Sequence, residues 1–483
     1  MLRSSSQIRL LTKTLEHQQL AVEKLIKLKV GALFMDMGTG KTRTLIEFAA
    51  RRWSKIDKVV VFCPVAIRAT WREELHKHIE EPRVYLFSDR TRQGRIPDAD
   101  WYIVGVESMG QSDRIALCVN DLITNETFVA IDESDTCKNH QSIRTRRITA
   151  MSQRAKYRTI LTGTPVSEGV VDLYAQLYFL SPQILGYKSF YTFANNHLEY
   201  SEKYKGMITH SLNTDWIAKK IEPYVYQVKK DECLTLPQKL FNTHYGDLST
   251  EQYQLYCQAK DEILNACPDE EIDSYIIFRL FTALREIVSG FWNRSNDPSY
   301  WWKQRREPQT FEMLTCNHDR IQILMEAITR IPAQEKVIIW SNFHYSTQQI
   351  IAALSKAFGI DSISEYHGQT ENREAEISKW RSQSRFLVAS PKCGGRGLTL
   401  VESAYQIFYN NDFPYRLRLQ AEDRIHRIGQ TRKPTYIDIV TSGSIDERIV
   451  KALAKKESLS KAFKRELDKL KTAEQKRKKL TEL

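Results

Sequence analysis

Nowhere in this chain do eighteen apolar residues run together, and no apolar core follows the polar start Met-Leu-Arg-Ser-Ser-Ser. Neither a membrane-spanning helix nor a secretion signal is therefore expected. Cysteine is scarce, eight in 483 residues, and no two stand as Cys-x-x-Cys or cluster with histidine at zinc spacing. The expectation is reduced thiols with no zinc and no disulfide, and a cytoplasmic protein, in a host's cytoplasm if the source is viral. Acidic residues fall short of basic ones, 59 against 71, a formal charge of +12 that suits a polyanionic partner. Residues 451–483 alone hold twelve basic and five acidic side chains, so most of the excess lies in a predicted basic helical tail. Any groove for nucleic acid in the body of the chain must come from local placement of charge.

The length exceeds one small core, and two to four domains are expected. The stretch Gly31-Ala-Leu-Phe-Met-Asp-Met-Gly38-Thr39-Gly40-Lys41-Thr42 organises the rest. An apolar strand, a glycine turn and Lys-Thr opening a helix place backbone N–H groups of Gly38, Thr39 and Gly40 against phosphate oxygens. Lys41 then reaches the β- and γ-phosphates of a nucleotide, and Thr42 holds Mg²⁺. Met35 stands where the full phosphate-loop pattern has its first glycine. Some twenty residues earlier, Leu15-Glu-His-Gln18 offers an amide for the adenine edge, or a solvated helix start.

Strands then alternate with helices, which predicts a parallel sheet covered on both faces. The apolar Phe128-Val-Ala-Ile-Asp132-Glu133 delivers two carboxylates to the strand end where ligands bind in such sheets. Asp132 is assigned to Mg²⁺ and Glu133 to the attacking water. Thr162-Gly-Thr-Pro165 follows another strand, hydroxyls on a turn able to sense the γ-phosphate or simply a strand-to-helix turn. Residues 185–310 break the alternation and read as a mostly helical insertion. Within it Arg294, Trp301, Trp302 and Arg305 interleave aromatics with cations, which suits nucleic acid or interdomain packing.

A second strand-and-helix pattern occupies 311–450 without its own Gly-Lys-Thr. It carries Cys393-Gly394-Gly395-Arg-Gly-Leu-Thr399, a glycine nest suited to backbone phosphates. Further on, Arg424 and Arg427 stand three apart, on one face if helical. The expected organisation is α/β, with two parallel-sheet lobes at 1–184 and 311–450, the helical insertion between them and the tail at 451–483.

In their order, MDMGTGKT, VFCPVAIRATW, IDESDTCKNHQS, LTGTPVSEGVVDLYAQLYFLSP, CGGRGLTL and QAEDRIHRIGQ resemble the Swi/Snf-type ATPases of helicase superfamily two, over roughly residues 10 to 455. The resemblance is to compact viral or bacterial members. It implies two RecA-like lobes with ATP in their cleft, Gln18 at adenine, Lys41 and Thr42 at phosphate and Mg²⁺, Asp132 and Glu133 in hydrolysis, and Arg424 and Arg427 as fingers from the second lobe. It also implies ATP-driven movement along double-stranded or branched DNA, in repair, recombination or fork work. A strand-separating helicase and a catalytically weak DNA-binding scaffold are the alternatives, and protein partners are not indicated. Three places depart from the family pattern: Met35 for an acidic residue, Ser134-Asp135 for Ala-His, and Ser167-Glu168 for Gln-Asn.

Overall fold

The computed structural model describes residues 8–166, 169–200, 208–265, 274–294, 313–395, 397–456, 459, 463, 466, 470 and 472–482. The chain divides into two compact units, Met1–Thr235 and Leu236–Leu483. The boundary falls inside the stretch expected to be a helical insertion, and strands are the reason.

In the first unit the strands are β1 (Val30–Met35), β2 (Lys58–Cys63), β3 (Val84–Leu86), β4 (Trp101–Gly105), β5 (Thr127–Asp132) and β6 (Tyr157–Thr162), with the short antiparallel pair β7 (Leu198–Tyr200) and β8 (Ile208–Ser211), and then β9 (Val225–Val228). Seven of them form a parallel sheet in the order β3-β4-β2-β5-β6-β1-β9. Central strands are buried on both faces, so their sequences are nearly continuous apolar runs. Period two still sorts them: Ala32, Phe34, Val60, Phe62, Val129 and Ile131 pack on one side, and Leu33, Met35, Val59, Val61, Phe128 and Ala130 on the other. The strand β9, polar enough to pass for loop, completes the edge by pairing along β1 from Ala32↔Val225 to Met35↔Val228.

The second unit holds β10 (Leu240–Gly246), the antiparallel pair β11 (Phe291–Asn293) and β12 (Met313–Thr315), then β13 (Val337–Trp340), β14 (Ile363–Tyr366), β15 (Phe386–Ala389), β16 (Tyr405–Phe408) and β17 (Thr435–Thr441). Six form a second parallel sheet, β10-β17-β16-β13-β15-β14. Strand β10 also comes from the expected insertion, where its alternation is masked because it lies at the exposed edge. The two α/β bodies are thus present, and residues 185–310 are shared between them rather than standing apart.

Beside the second sheet, the helices Thr250–Asn265, Ser274–Val288 and Ile445–Ala454 form their own core, in which Leu459, Phe463 and Leu480 are buried. The C-terminal helix Ala473–Thr481 is therefore an integral part of this unit. Arg477 donates to Asn265 Oδ1 at 2.7 Å, and Lys260 and Arg448 donate to the carbonyls of Thr481 and Glu482 at 3.1 and 2.8 Å. Lys260 and Arg448 thus meet the last carbonyls of a helix, where positive charge is favoured. No helix among the described residues is long and apolar enough to cross a membrane.

Candidate active site

The register of the first sheet sets the site. Strand β6 lies between β1 and β5, pairing Phe34↔Thr162 on one side and Asp132↔Leu161 on the other. The phosphate loop after β1, the threonine turn after β6 and the carboxylates ending β5 therefore emerge side by side at one sheet edge.

In the loop, Gly38 and Gly40 stand at φ 78° and 85°, a region that favours glycine. Gly40 has a second reason to lack a side chain, since a Cβ there would lie 2.2 Å from Gln18 Nε2. Gln18 and His17 are buried and both donate to the Thr39 carbonyl, at 3.0 and 2.8 Å, while Gln18 Oε1 accepts from Leu15 N at 3.0 Å. The amide expected at adenine is thus engaged in buttressing the loop, and His17 shares the work. Thr39 Oγ1 closes the turn onto the Asp36 carbonyl at 2.7 Å. Asp36 in turn accepts from Lys230 N at 2.9 Å, just beyond β9. Lys41 opens the helix Lys41–Arg52, and its ammonium donates to the Met35 and Asp36 carbonyls at 2.9 and 3.2 Å. Thr42 is half-buried in the same first turn.

Asp132 is buried, with Trp71 Nε1 donating to Oδ2 and Glu133 N to Oδ1, both at 2.9 Å. Burial pushes its carboxyl up to about 6, with repulsion from Glu133 adding to the rise and Lys41, the Trp71 bond and the Glu133 N–H opposing it. The influence of Lys41 records that the two motifs face each other. Glu133 stands in the left-handed region at φ 50°, ψ 54°, a conformation that a residue with a side chain keeps only where its surroundings hold it. Thr136 fastens its carbonyl twice, N–H at 2.9 Å and hydroxyl at 2.8 Å. Beside it, Thr164 N donates to Thr162 Oγ1 at 3.1 Å, shaping the threonine turn. Ser167 and Glu168 lie outside the described residues.

In the second unit the helix Tyr415–Glu422 stops before the arginines. Arg424 and Arg427 therefore do not share a helix face as spacing alone suggests. The chain turns because the Arg424 carbonyl is taken by Leu400 N at 3.0 Å, and Gly429 follows at φ 100°. The two side chains still converge, both donating to the Leu398 carbonyl, at 3.0 and 3.2 Å. Arg424 is buried and Arg427 half-buried.

With this geometry in view, residues 17–289 match the SNF2-related domain and residues 319–429 the helicase conserved C-terminal domain. The chain belongs to the SNF2-related family. It is 26% identical to a putative ATP-dependent helicase/translocase, YwqA, of Bacillus subtilis, covering 88% of this chain and 45% of that one. It is 23% identical to an uncharacterized ATP-dependent helicase, MG018, of Mycoplasma genitalium, covering 89% and 40%. The DNA repair and recombination protein RDH54 of Saccharomyces cerevisiae is 26% identical, covering 89% and 50%. The chain spans half or less of the length of these relatives. Among solved structures, the SWI2/SNF2 ATPase core of Sulfolobus solfataricus in complex with double-stranded DNA is 23% identical, covering 94% of this chain and 93% of that one, with a TM-score of 0.41.

The residues present fit the ligands of an SNF2-related ATPase. A loop of backbone N–H groups with one ammonium suits a phosphate chain, and a threonine hydroxyl with a buried carboxylate is an all-oxygen set suited to Mg²⁺. The residues expected at nucleic acid are placed less openly. Arg294 makes a two-pronged ion pair with Glu262 at 2.9 and 2.8 Å and lies over the Trp292 ring, which is core. Trp301, Trp302 and Arg305 lie outside the described residues. Gly394 ends the single helical turn Pro391–Gly394, Gly395 follows at φ −70° and Gly397 stands at φ 72°. Packing explains the glycines, since a Cβ on Gly394 would come 2.9 Å from the Trp340 ring and one on Gly395 2.2 Å from the Pro391 carbonyl. Thr399 is half-buried, its carbonyl accepting from Arg381 at 3.2 Å.

Proposed function

We propose that this chain is a DNA-dependent ATPase that translocates on double-stranded DNA and remodels DNA junctions or protein–DNA complexes. The observation that carries the reading is the convergence of the Lys41 loop and the Asp132–Glu133 turn at one edge of a parallel sheet, with Lys41 felt by Asp132. Lys41 and the loop N–H groups bind the β- and γ-phosphates, and the buttress from His17 and Gln18 keeps the loop preorganised. Thr42 and Asp132 would hold Mg²⁺, which when bound neutralises charge building on the transferred phosphoryl group. Glu133 orients the attacking water and takes its proton. Arg424 and Arg427, held together on the Leu398 carbonyl of the second unit, are the candidates for arginine fingers. DNA is the partner that the name of the RDH54 relative and the basic charge support, and double-stranded or branched DNA is the form proposed for it.

Hydrolysis of ATP by the full chain, measured without nucleic acid and with duplex DNA, single strands and RNA, tests this. Strongest stimulation by duplex or branched DNA is expected. Equal rates in all four would overturn the DNA-dependent part, and stimulation by single strands alone would favour a strand-separating helicase.

A further inference from the structure

Gln176 sits on the helix Val171–Leu180, outside both the phosphate loop and the carboxylate turn, yet its amide joins two segments of the site. Ser134 Oγ donates to Gln176 Oε1 at 2.6 Å. On its other side, Gln176 Nε2 donates to the Pro165 carbonyl at 2.9 Å and, within its own helix, to the Asp172 carbonyl at 2.8 Å. Ser134 is 0% and Gln176 1% exposed, so the link is made where water does not compete. An amide is the side chain that can accept from a hydroxyl at one end and donate to carbonyls at the other.

The position of the link gives it meaning. Ser134 directly follows Glu133, whose left-handed backbone must be held from outside. Its carbonyl is fixed by Thr136 and its N–H by Asp132, which leaves the placement of the whole turn against the Thr162–Pro165 turn to be set. One turn away on the same helix, Asp172 pairs with Lys138 at 3.3 Å, a second tie between this helix and the segment after Glu133. We infer that Gln176 is a positioning residue for hydrolysis: with Ser134 it locks the Glu133 turn to the threonine turn, so that the group activating water and the turn beside it keep one geometry.

This rests on the ATPase reading of the site, and the experiment separates the two. Steady-state ATP hydrolysis with saturating duplex DNA, and thermal melting, are measured on the full chain for the parent, Ser134→Ala, Gln176→Met and the double variant. Each single variant is expected to lower kcat about tenfold or more, as misplacement of a catalytic group does, with KM for ATP within about twofold. The double variant is expected to be no slower than the worse single, because both cut one tie. An unchanged kcat, losses that multiply in the double variant, or kcat and KM changing only in step with a lowered melting temperature would each overturn the inference. Should Gln176→Met fail to fold, Ser134→Ala, which removes one oxygen, carries the test. A parent chain that hydrolyses no ATP refutes the ATPase reading itself.

Discussion

Asp132 is buried and Glu133 half-buried, and the two neighbouring carboxylates are assigned different work. Burial and the nearby Glu133 raise the Asp132 carboxyl to about 6, so with no cation bound it ionises only as the pH passes that value. Because bound Mg²⁺ favours the ionised carboxylate, an acid limb is expected in Mg²⁺-dependent ATP turnover at or below that value, moving to lower pH as Mg²⁺ is raised. Trp71→Phe removes the Nε1–H that favours the ionised form, so the limb should move to higher pH; an unmoved limb would assign it to another group. The same shift has a sign for stability. A carboxyl that holds its proton more tightly folded than unfolded stabilises the fold fully below its ordinary value, and that contribution is lost as pH rises through about 6. Glu133→Gln should reduce turnover by about 10² to 10⁴, the usual worth of a positioned base, while ATP still binds; normal hydrolysis would point to a different base. Arg427→Ala should slow turnover by roughly 10³ to 10⁵, as loss of an arginine finger does, with a rate within tenfold of the parent sinking that role.

Among the elements, the C-terminal helix Ala473–Thr481 combines two duties that charge counting alone confuses. Leu480 is fully buried in the helical core of the second unit, so Leu480→Ala should destabilise that unit by about 2 to 5 kcal/mol, the range for emptying a leucine site, read as a lowered melting temperature. Deleting the helix would therefore report on folding as well as on binding. The lysines are separable, because Lys478 is exposed and Lys476 half-buried on the same helix. Changing both to Gln should leave melting unchanged and flatten the dependence of DNA affinity on salt by about one unit for each phosphate no longer neutralised. An unaltered slope would confine the helix to its packing role.

For the molecule as a whole, two parallel sheets carry the phosphate loop and carboxylates in the first unit and the arginine pair in the second. On the proposed function as a duplex translocase, such a motor would grip backbone phosphates and have no need to part the bases. Separating them costs about 1.4 kcal/mol of stacking per step. The expected outcome is ATP-driven displacement of a third strand from duplex DNA, and movement of branched junctions, with little unwinding of a plain fork. Efficient unwinding of the fork without triplex displacement would reverse that assignment, and Trp301 and Trp302 would be the first residues to change.

Local sequence was enough to determine the phosphate loop, the carboxylate pair and most central strands, because each depends on residues within a few positions and on continuous apolar runs. Two glycines, a lysine and a threonine in that order make a phosphate turn where a strand leads in and a helix leads out. The edge strands β9 and β10 were illegible for the converse reason: an edge is half solvated, its pattern resembles a loop, and only the partner strands β1 and β17 reveal it. The arginine spacing suggested a helix, but a hydrogen bond from Leu400, 24 positions away, ends it in a turn. Tertiary structure alone decided that Gln18 holds the loop, that Trp71 bonds Asp132, and that Gln176 reaches across to Ser134 and Pro165. These are contacts between residues distant in the chain, where a polar side chain finds its partner only after the sheet has set which strand ends are neighbours.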